Sequence, residues 1–137
     1  MSSKVKSMEK DFKQQLQKKL SPLAYQVCVE RHTEPRFTDT KDIPQVLTNY
    51  HCICCDSLLF SSKTKYHSGS GWPSFTQPAH TKAVQFHHDN SHQMSRIEVC
   101  CANCNAHLGH VFDDGPEPTG MRYCINSVAL LAKIPDE

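Results

Sequence analysis

The sequence predicts a mainly β domain that begins with two short helices, and three observations support this prediction. Apolar residues recur with helical spacing only near the N-terminus, short apolar runs replace that spacing after Tyr50, and two Cys-x-x-Cys pairs lie among those runs. Short runs separated by turn residues are typical of antiparallel sheets. The 137 residues fit one domain, residues 1–137, of which residues 1–20 are expected to be a helical extension.

The first helix is predicted within residues 8–20. Its apolar side chains recur every four residues, at Phe12, Leu16 and Leu20. Ser21 can cap a second helix, which is predicted to run from Pro22 to about Arg31 because proline suits a first helical turn. The segment His32–Thr48 is rich in Pro, Thr and Asp and is predicted to be an extended, ordered loop.

Six short runs in the rest of the chain are predicted to be strands, separated by clusters of Gly, Pro, Ser and Asp. They are Tyr50–Cys52, Leu58–Phe60, Ala83–His87, Ile97–Cys101, His107–Phe112 and Tyr123–Leu130. Apolar and polar residues alternate in two of them, as expected for strands with one buried face. No repeat is visible beyond the two cysteine pairs.

Composition narrows the class of protein. The formal net charge of +1 and the sequence pI of about 7.6 give no basic field for nucleic acid. The N-terminal residues contain no apolar run typical of a signal peptide, and no stretch approaches the ~20 apolar residues of a membrane span. We therefore expect a cytoplasmic monomer whose eight cysteines serve metal binding or redox chemistry.

The two Cys-x-x-Cys pairs, Cys52/Cys55 and Cys101/Cys104, predict one metal site. Each pair follows a strand-like segment and precedes another, as in zinc knuckles at hairpin tips. Zn²⁺ is favoured because it suits four thiolates and has no redox chemistry of its own. The gap between the pairs is much longer than the ~15–20 residues of a compact zinc ribbon, so the ion would join two distant hairpins in a structural role.

The alternatives to zinc are two disulfides, four unrelated buried thiols, or an iron site of the rubredoxin type. Cys54 and Cys100 lie next to predicted ligands but outside the Cys-x-x-Cys spacing. Neighbouring residues on an extended segment alternate in direction, so both side chains are expected to point away from the ion.

The sequence Arg122-Tyr-Cys124-Ile-Asn126 indicates a reactive thiol. On a strand, alternate residues share one face, so the side chains of Arg122 and Asn126 would flank the sulfur of Cys124. A guanidinium group stabilises the thiolate, which is the nucleophilic form. An inert cysteine buried in a strand is the alternative.

Other polar and aromatic residues could complete such a site. His107 and His110, three residues apart, could line one pocket and transfer protons at neutral pH. Either aspartate at positions 113–114 could orient Arg122. Trp72 lies between turn-forming Gly and Pro residues, where it would be either a platform for a ligand or part of the core.

These segments together resemble the methionine-R-sulfoxide reductase family over nearly the whole chain, from about Leu20 to Leu130. The matching motifs are Thr33-Glu34-Pro35, Phe37-Thr38, both cysteine pairs, Lys65-Tyr66, Gly69-Ser-Gly-Trp72-Pro-Ser-Phe75, His107-Leu-Gly-His110-Val-Phe112, Asp114-Gly-Pro116 and Arg122-Tyr-Cys124-Ile-Asn-Ser127. The resemblance implies two antiparallel sheets of the β-tent type with short N-terminal helices, and a structural four-cysteine zinc site distant from the reacting thiol.

The resemblance also implies a reaction. Cys124 would attack the sulfoxide sulfur while His107 and His110, directly or through a water, deliver protons to the departing oxygen. The products would be methionine and a sulfenic acid on Cys124. Arg122, held by Asp114, would keep Cys124 ionised.

Substrate binding follows from the same resemblance. Asn126 would help to fix the substrate, and Trp72, with Phe112 as a neighbour, would supply an apolar wall for the ε-methyl group. A tetrahedral sulfoxide sulfur presents methyl, oxygen and chain to three different walls, so only one epimer aligns its oxygen with the proton donors. Oxidised methionine in proteins is the expected substrate, with the free amino acid as a second possibility.

The chain departs from the family pattern at Ser70, where many relatives carry a resolving cysteine. A serine cannot form a disulfide with Cys124, so another cysteine, a direct reductant, or thioredoxin acting without an internal disulfide must regenerate the thiol. Some relatives use a cysteine in the N-terminal helix, which favours Cys28 as the resolving residue, with thioredoxin as the final reductant.

Two other function classes are compatible with parts of the pattern. One is a zinc-stapled module in which the Trp72 loop binds a peptide and Cys124 is inert. The other is a metal-dependent hydrolase with His107 and His110 as ligands, which would need an open coordination position that four thiolates do not leave.

Overall fold

The structure is a computed structural model that describes residues 8–38 and 46–135. Within these ranges two helices precede nine strands. The helices are α1 (Lys10–Lys19) and α2 (Pro22–Cys28). The strands are β1 (Asn49–Cys52), β2 (Leu58–Ser61), β3 (Lys65–Tyr66), β4 (Ser74–Phe75), β5 (Val84–Asp89), β6 (Arg96–Cys101), β7 (His107–Phe112), β8 (Arg122–Ile125) and β9 (Leu130–Lys133).

Helix α2 begins as predicted and ends earlier than predicted. The Ser21 hydroxyl accepts a hydrogen bond from the Ala24 N–H at 3.1 Å, which is a regular N-cap. The helix ends at Cys28 rather than near Arg31. Arg31 has a φ of 64°, in the left-handed region, so the helical backbone cannot extend through it.

The strands form two antiparallel sheets, which confirms the predicted fold class. The smaller sheet has the order β2-β1-β9, and the larger has the order β3-β4-β8-β7-β6-β5. Aromatic side chains join the sheets: Phe60 of the small sheet stacks on Phe75 of the large one at 4.5 Å and meets Tyr123 edge-on at 5.9 Å. This buried aromatic contact holds the two layers together.

The predicted run Tyr123–Leu130 is two strands rather than one, and this prediction was wrong. Strand β8 ends at Ile125, a 3₁₀ helix occupies Ser127–Ala129, and β9 then joins the other sheet beside β1. The Asn126 N–H donates to the Leu108 carbonyl, and the Ala129 N–H returns to the Asn126 carbonyl at 3.1 Å. The apolar pattern continues through the break because Ile125 of β8, Ala129 of the 3₁₀ helix and Leu130 at the start of β9 all contact the core.

The other runs coincide with strands to within a few residues, while the short strands β3 and β4 lie outside all of them. Residues 32–38 and 46–48 of the predicted loop lie outside helices and strands, and residues 39–45 lie outside the described residues. In the part of the chain that the structure describes, no helix combines the length and apolar character needed to cross a bilayer.

Candidate active site and metal centre

The β1–β2 and β6–β7 hairpins end in matching turns that carry the cysteine pairs. In one turn the Asp56 N–H donates to the Cys52 carbonyl at 2.8 Å, and in the other the Asn105 N–H donates to the Cys101 carbonyl at 2.8 Å. Asp56 and Asn105 both have a φ of 68°. Asp and Asn tolerate this left-handed conformation better than most residues, so each tight turn has a local sequence basis.

The two turns bring four sulfur atoms to one point. The Sγ atoms of Cys52, Cys55, Cys101 and Cys104 all lie within 4.8 Å of one another. Between the hairpins, the Cys52–Cys104 distance is 3.7 Å and the Cys55–Cys101 distance is 3.6 Å. Four sulfurs at about 2.3 Å from a tetrahedral ion are about 3.8 Å apart, whereas a disulfide is ~2.05 Å long. The cluster is therefore positioned to bind one metal ion, and all eight cysteines are free.

The remaining buried thiols have different surroundings. Cys54 contacts Cys52 and Cys104 as well as Cys28, so the expectation that its side chain points away from the cluster is not met. Cys100 lies opposite His107 on the neighbouring strand, and burial raises its pKa to about 12. Cys28 is 2% exposed on α2.

A β-bulge explains how His107 and His110 reach the same side of the sheet. Residues three apart on a regular strand point to opposite faces. Here the β6–β7 register shifts between Val99 and Cys100, so that Glu98 pairs with His110 while Cys100 pairs with His107. The two imidazole centroids consequently lie 5.4 Å apart.

Cys124 lies at the centre of the large sheet, between Ser74 of β4 and His110 of β7. Directly opposed residues on antiparallel strands have Cβ atoms about 4.5–5.5 Å apart, so the thiol and the imidazole are neighbours. Gly109 permits this approach, because a Cβ there would lie 2.0 Å from the Cys124 carbonyl oxygen.

Arg122 is fixed by two partners. Its Nε and one terminal nitrogen donate to the two oxygens of Asp114 at 2.8 and 3.3 Å. Its guanidinium lies 4.3 Å from the centroid of Phe112, which pairs with it across β7 and β8. The structure thus joins Arg122 to Asp114, the pairing that the resemblance implies.

A cavity of about 250 Å³ opens above Cys124. Its lining contains six of the expected site residues: Trp72, His110, Phe112, Arg122, Cys124 and Asn126. His107, Asp114 and Cys28 do not line it. A second cavity of about 560 Å³ is lined by His107 and also by His110. His110 therefore borders both cavities.

Each histidine is paired with a carboxylate that sequence reasoning did not identify. His110 Nε2 lies 2.7 Å from an oxygen of Asp89, and His107 Nδ1 lies 2.6 Å from an oxygen of Glu98. Asp89 ends β5 and Glu98 is in the middle of β6, and neither carries a local motif. Only the sheet register places these carboxylates beside the imidazoles.

Burial favours the neutral form of both imidazoles. Burial lowers the pKa of His107 to about 4, helped by the nearby Arg31 guanidinium. Burial also lowers the pKa of His110, although the hydrogen bond to Asp89 opposes this. Each neutral ring donates its N–H to its carboxylate, so the second ring nitrogen is an acceptor. His107 Nε2 is buried without a hydrogen-bond partner among the described residues.

A second group of possible metal ligands lies around His107. Ligand atoms of Glu98, Cys100 and His107 are within 4.8 Å of one another. Arg31 already forms an ion pair with Glu98 there. A guanidinium bound to the same carboxylate disfavours a cation, and neither His107 nor His110 belongs to the four-cysteine cluster.

Burial raises the pKa of Cys124, and this is the largest influence on the thiol. The Ser70 hydroxyl, 3.9 Å from the sulfur, and the Arg122 guanidinium both lower that pKa, but less than burial raises it. Arg122 therefore acts on that pKa in the expected direction, while burial favours the uncharged thiol.

Trp72 and Asn126 form walls of the cavity and are both tied to backbone. The Trp72 Nε1–H donates to the Glu34 carbonyl at 2.9 Å, and the Arg36 guanidinium lies 5.2 Å from the ring centroid. Asn126 Oδ1 accepts the Glu34 N–H at 3.0 Å, and its Nδ2 donates to the Leu108 carbonyl at 2.9 Å. Thr33, Arg36 and Arg96 also line the cavity and were not predicted.

Comparison with known proteins agrees with this geometry. The SelR domain family matches residues 20–133. A protein of Acinetobacter baylyi named peptide methionine sulfoxide reductase MsrB is 50% identical over 117 residues, which cover 85% of this chain and 84% of that protein. A Pseudomonas putida protein of the same name is 56% identical over 111 residues, covering 81% of this chain and 84% of that protein.

Proposed function

The chain belongs to the SelR family of methionine sulfoxide reductases, and we propose that it reduces methionine-R-sulfoxide in proteins through Cys124. The observation that carries the proposal is the cavity in which Cys124, His110 and Trp72 meet. A binding module needs neither a thiol nor an imidazole at that point. Free methionine-R-sulfoxide carries the same side chain and is proposed as a second substrate.

The first step uses His110 as a proton carrier. Asp89 accepts the Nε2–H of His110, which leaves Nδ1 free to take the proton of the Cys124 thiol. The thiolate then attacks the sulfoxide sulfur, and the proton passes to the sulfoxide oxygen. The oxygen leaves methionine as its S–O bond breaks and ends on Cys124 as a sulfenic acid. One thiol and one sulfoxide thus become one sulfenic acid and one thioether.

The other site residues support this step. Arg122, held by Asp114, stabilises the thiolate as it forms. His107, paired with Glu98, supports proton transfer from behind His110. Trp72 and Phe112 receive the ε-methyl group, which leaves the oxygen of only the R epimer facing the imidazole.

Regeneration is proposed to use Cys28 and then thioredoxin. The Cys28 thiol would attack the sulfenic acid, giving a Cys28–Cys124 disulfide and water, which the thioredoxin dithiol would reduce. Helix α2 packs on the 3₁₀ helix that follows Cys124, so the two thiols belong to neighbouring elements. Cys28 is buried beside Cys54, so the end of α2 must move before the disulfide forms.

We propose Zn²⁺ as the ion held by Cys52, Cys55, Cys101 and Cys104. The four thiolates would complete its tetrahedral coordination and cross-link the two sheets, so the ion stabilises the fold rather than the reaction. We further propose that the protein acts as a monomer in the cytoplasm, where thioredoxin would be available as its reductant.

Epimer-resolved turnover tests the proposed function. NADPH oxidation coupled through thioredoxin and its reductase should occur with methionine-R-sulfoxide and be absent with the S epimer. Equal rates on both epimers would contradict the proposed orientation. No turnover on the R epimer, with a dithiol reductant or with thioredoxin, would contradict the function itself.

Thiol counting tests the resolving cysteine. After one equivalent of methionine-R-sulfoxide, the reduced protein should lose two thiols, and Cys28→Ser should lose one and retain a trappable sulfenic acid. The double variant Cys28→Ser/Ser70→Cys should again lose two thiols. The Ser70 hydroxyl lies 3.9 Å from the Cys124 sulfur, so a cysteine at that position can form a disulfide with Cys124. Loss of two thiols in Cys28→Ser alone would exclude Cys28.

A further inference from the structure

Glu34 is a carboxylate buried to 1% exposure that forms no ion pair with any described residue. Its oxygens accept the Ser127 N–H at 2.9 Å, the Ser127 hydroxyl at 3.0 and 3.1 Å, and the Val128 N–H at 2.9 Å. A buried charge is tolerated only when such donors satisfy it. These bonds fix the start of the 3₁₀ helix that directly follows β8.

The backbone of Glu34 holds two walls of the substrate cavity. Its N–H donates to Asn126 Oδ1 at 3.0 Å, and its carbonyl accepts the Trp72 indole N–H at 2.9 Å. One residue therefore connects the tryptophan loop, the end of the Cys124 strand and the helix that follows it. Its neighbours Thr33 and Arg36 line the cavity, whereas Glu34 itself does not.

We propose that Glu34 is a positioning residue, which sets the distance between the Trp72 wall and the Cys124 strand and thereby the fit of the substrate methyl group. The proposal rests on the proposed function of the cavity. Each carboxylate oxygen accepts one backbone N–H, so replacing the carboxylate with an amide turns an N–H₂ group toward the N–H of either Ser127 or Val128. Donors then face donors, and the segment must move away.

The charge of Glu34 provides a readout that a purely structural role would not give. Its negative charge raises the pKa of the Cys124 thiol. Glu34→Gln should therefore lower that pKa and favour the thiolate, while misplacing Trp72 and weakening substrate binding. If turnover slows although the Cys124 thiol has become more acidic, the cause is the misplaced Trp72 wall and not a smaller fraction of thiolate.

The test compares Glu34→Gln with Glu30→Gln, a matched change at an exposed glutamate four residues earlier. For Glu34→Gln we expect kcat/KM on methionine-R-sulfoxide to fall about 10²-fold, mainly through KM, as for a misplacement of ~1 Å. The Cys124 pKa, followed by thiolate absorbance, should fall. Trp72 is the single tryptophan, so acrylamide quenching of its fluorescence should rise. Glu30→Gln should match the wild type in all three.

Glu34→Gln with wild-type kcat/KM and wild-type quenching would overturn the proposal. If that variant does not fold, Ser127→Ala removes one hydroxyl donor and keeps the charge. It should lower kcat/KM severalfold and increase quenching, and no change in either would also overturn the proposal. Fluorescence quenching is measured without substrate and therefore tests the position of Trp72 independently of activity. Inactivity of the wild type toward both epimers would contradict the proposed function but would not affect the quenching result.

Discussion

The four-cysteine cluster and the Cys124 pocket use the same side chain in opposite ways, although one strand reaches both. Strand β6 carries Arg96 in the lining of the pocket and, five residues later, Cys101 in the cluster. In the cluster each thiol is surrounded by other thiols at the spacing that one ion requires. Cys124 instead meets a hydroxyl, an imidazole and a guanidinium beside an open cavity.

The difference shows that the surroundings of a cysteine decide its role. Four sulfurs around one ion have no free coordination position and no access for a substrate, so they contribute stability. A single thiol with a neutral base opposite it and space above it can react. The comparison predicts that changes in one region affect activity and changes in the other affect folding.

Cys124→Ser is the largest expected loss of activity. Removal of the nucleophile should lower the single-turnover rate of methionine formation by more than about 10³-fold, with the melting temperature close to that of the wild type. Cys100→Ser is the matched control, because it also removes a thiol from the large sheet but lies outside the cavity lining. If Cys124→Ser reduced the sulfoxide at the wild-type rate, Cys124 would not be the nucleophile and its contrast with the cluster cysteines would be wrong.

Cys101→Ser should have the opposite effects, a large loss of stability and little loss of activity. Loss of one of four ligands should abolish metal retention and lower the melting temperature by about 10 °C or more, because a structural metal site contributes several kcal/mol to folding. Folded molecules should keep their single-turnover rate at low temperature. Asn103→Ser, an exposed position in the same turn, should retain the metal. Full stability without bound metal would contradict a structural role.

His107, which is buried beside His110, predicts a pH-dependent stability. Its pKa is lowered from 6.5 to about 4 in the folded protein, so between these values the unfolded chain binds a proton that the folded chain does not. Stability should therefore fall as the pH falls from 6.5 to 4, by up to about 3 kcal/mol from this residue.

The measurement compares melting temperatures of the wild type and His107→Gln across that interval. The variant lacks the titrating ring, so its curve should be flatter, while acid effects on the cysteine cluster are common to both proteins. Parallel curves would show that His107 does not carry the predicted proton linkage.

Much of the fold was predictable because its signals are local. The Ser21 cap, the strand runs and the Cys-x-x-Cys turns each depend on residues close together in sequence. The break in the strand at Asn126 was missed because it depends on a distant residue. The 3₁₀ helix that follows is capped by Glu34, which is more than ninety positions away, and the sequence around Glu34 does not show that it bonds to Ser127.

Which residues would lie together was easier to predict than the electrostatics of the candidate site. Motifs in the sequence proposed Cys124, His110, Arg122 and Trp72 as site residues, and the structure brings all four to one cavity. It could not reveal Asp89 or Glu98, whose positions depend on the register of β5, β6 and β7. Nor could it show that burial outweighs Arg122 in setting the pKa of Cys124, because burial depends on the whole fold.

The smallest expected effect comes from removing either of the two groups that stabilise the Cys124 thiolate. Ser70→Ala and Arg122→Gln should each raise the pKa of Cys124 further, because the Ser70 hydroxyl and the Arg122 guanidinium both lower that pKa. Less thiolate forms at a given pH below that pKa, so the single-turnover rate at neutral pH should fall about threefold to fivefold, as for loss of one hydrogen bond.

Because the nucleophile itself is unchanged, the rates of Ser70→Ala and the wild type should converge as the pH rises above both pKa values. Thiolate absorbance and single-turnover rate should shift together along the pH axis, and Ser95→Ala, an exposed serine bonded to His88, should shift neither. An unchanged titration midpoint in Ser70→Ala would contradict a direct effect of the Ser70 hydroxyl on the Cys124 thiol, and would leave burial, Arg122 and Glu34 as the groups that set its pKa.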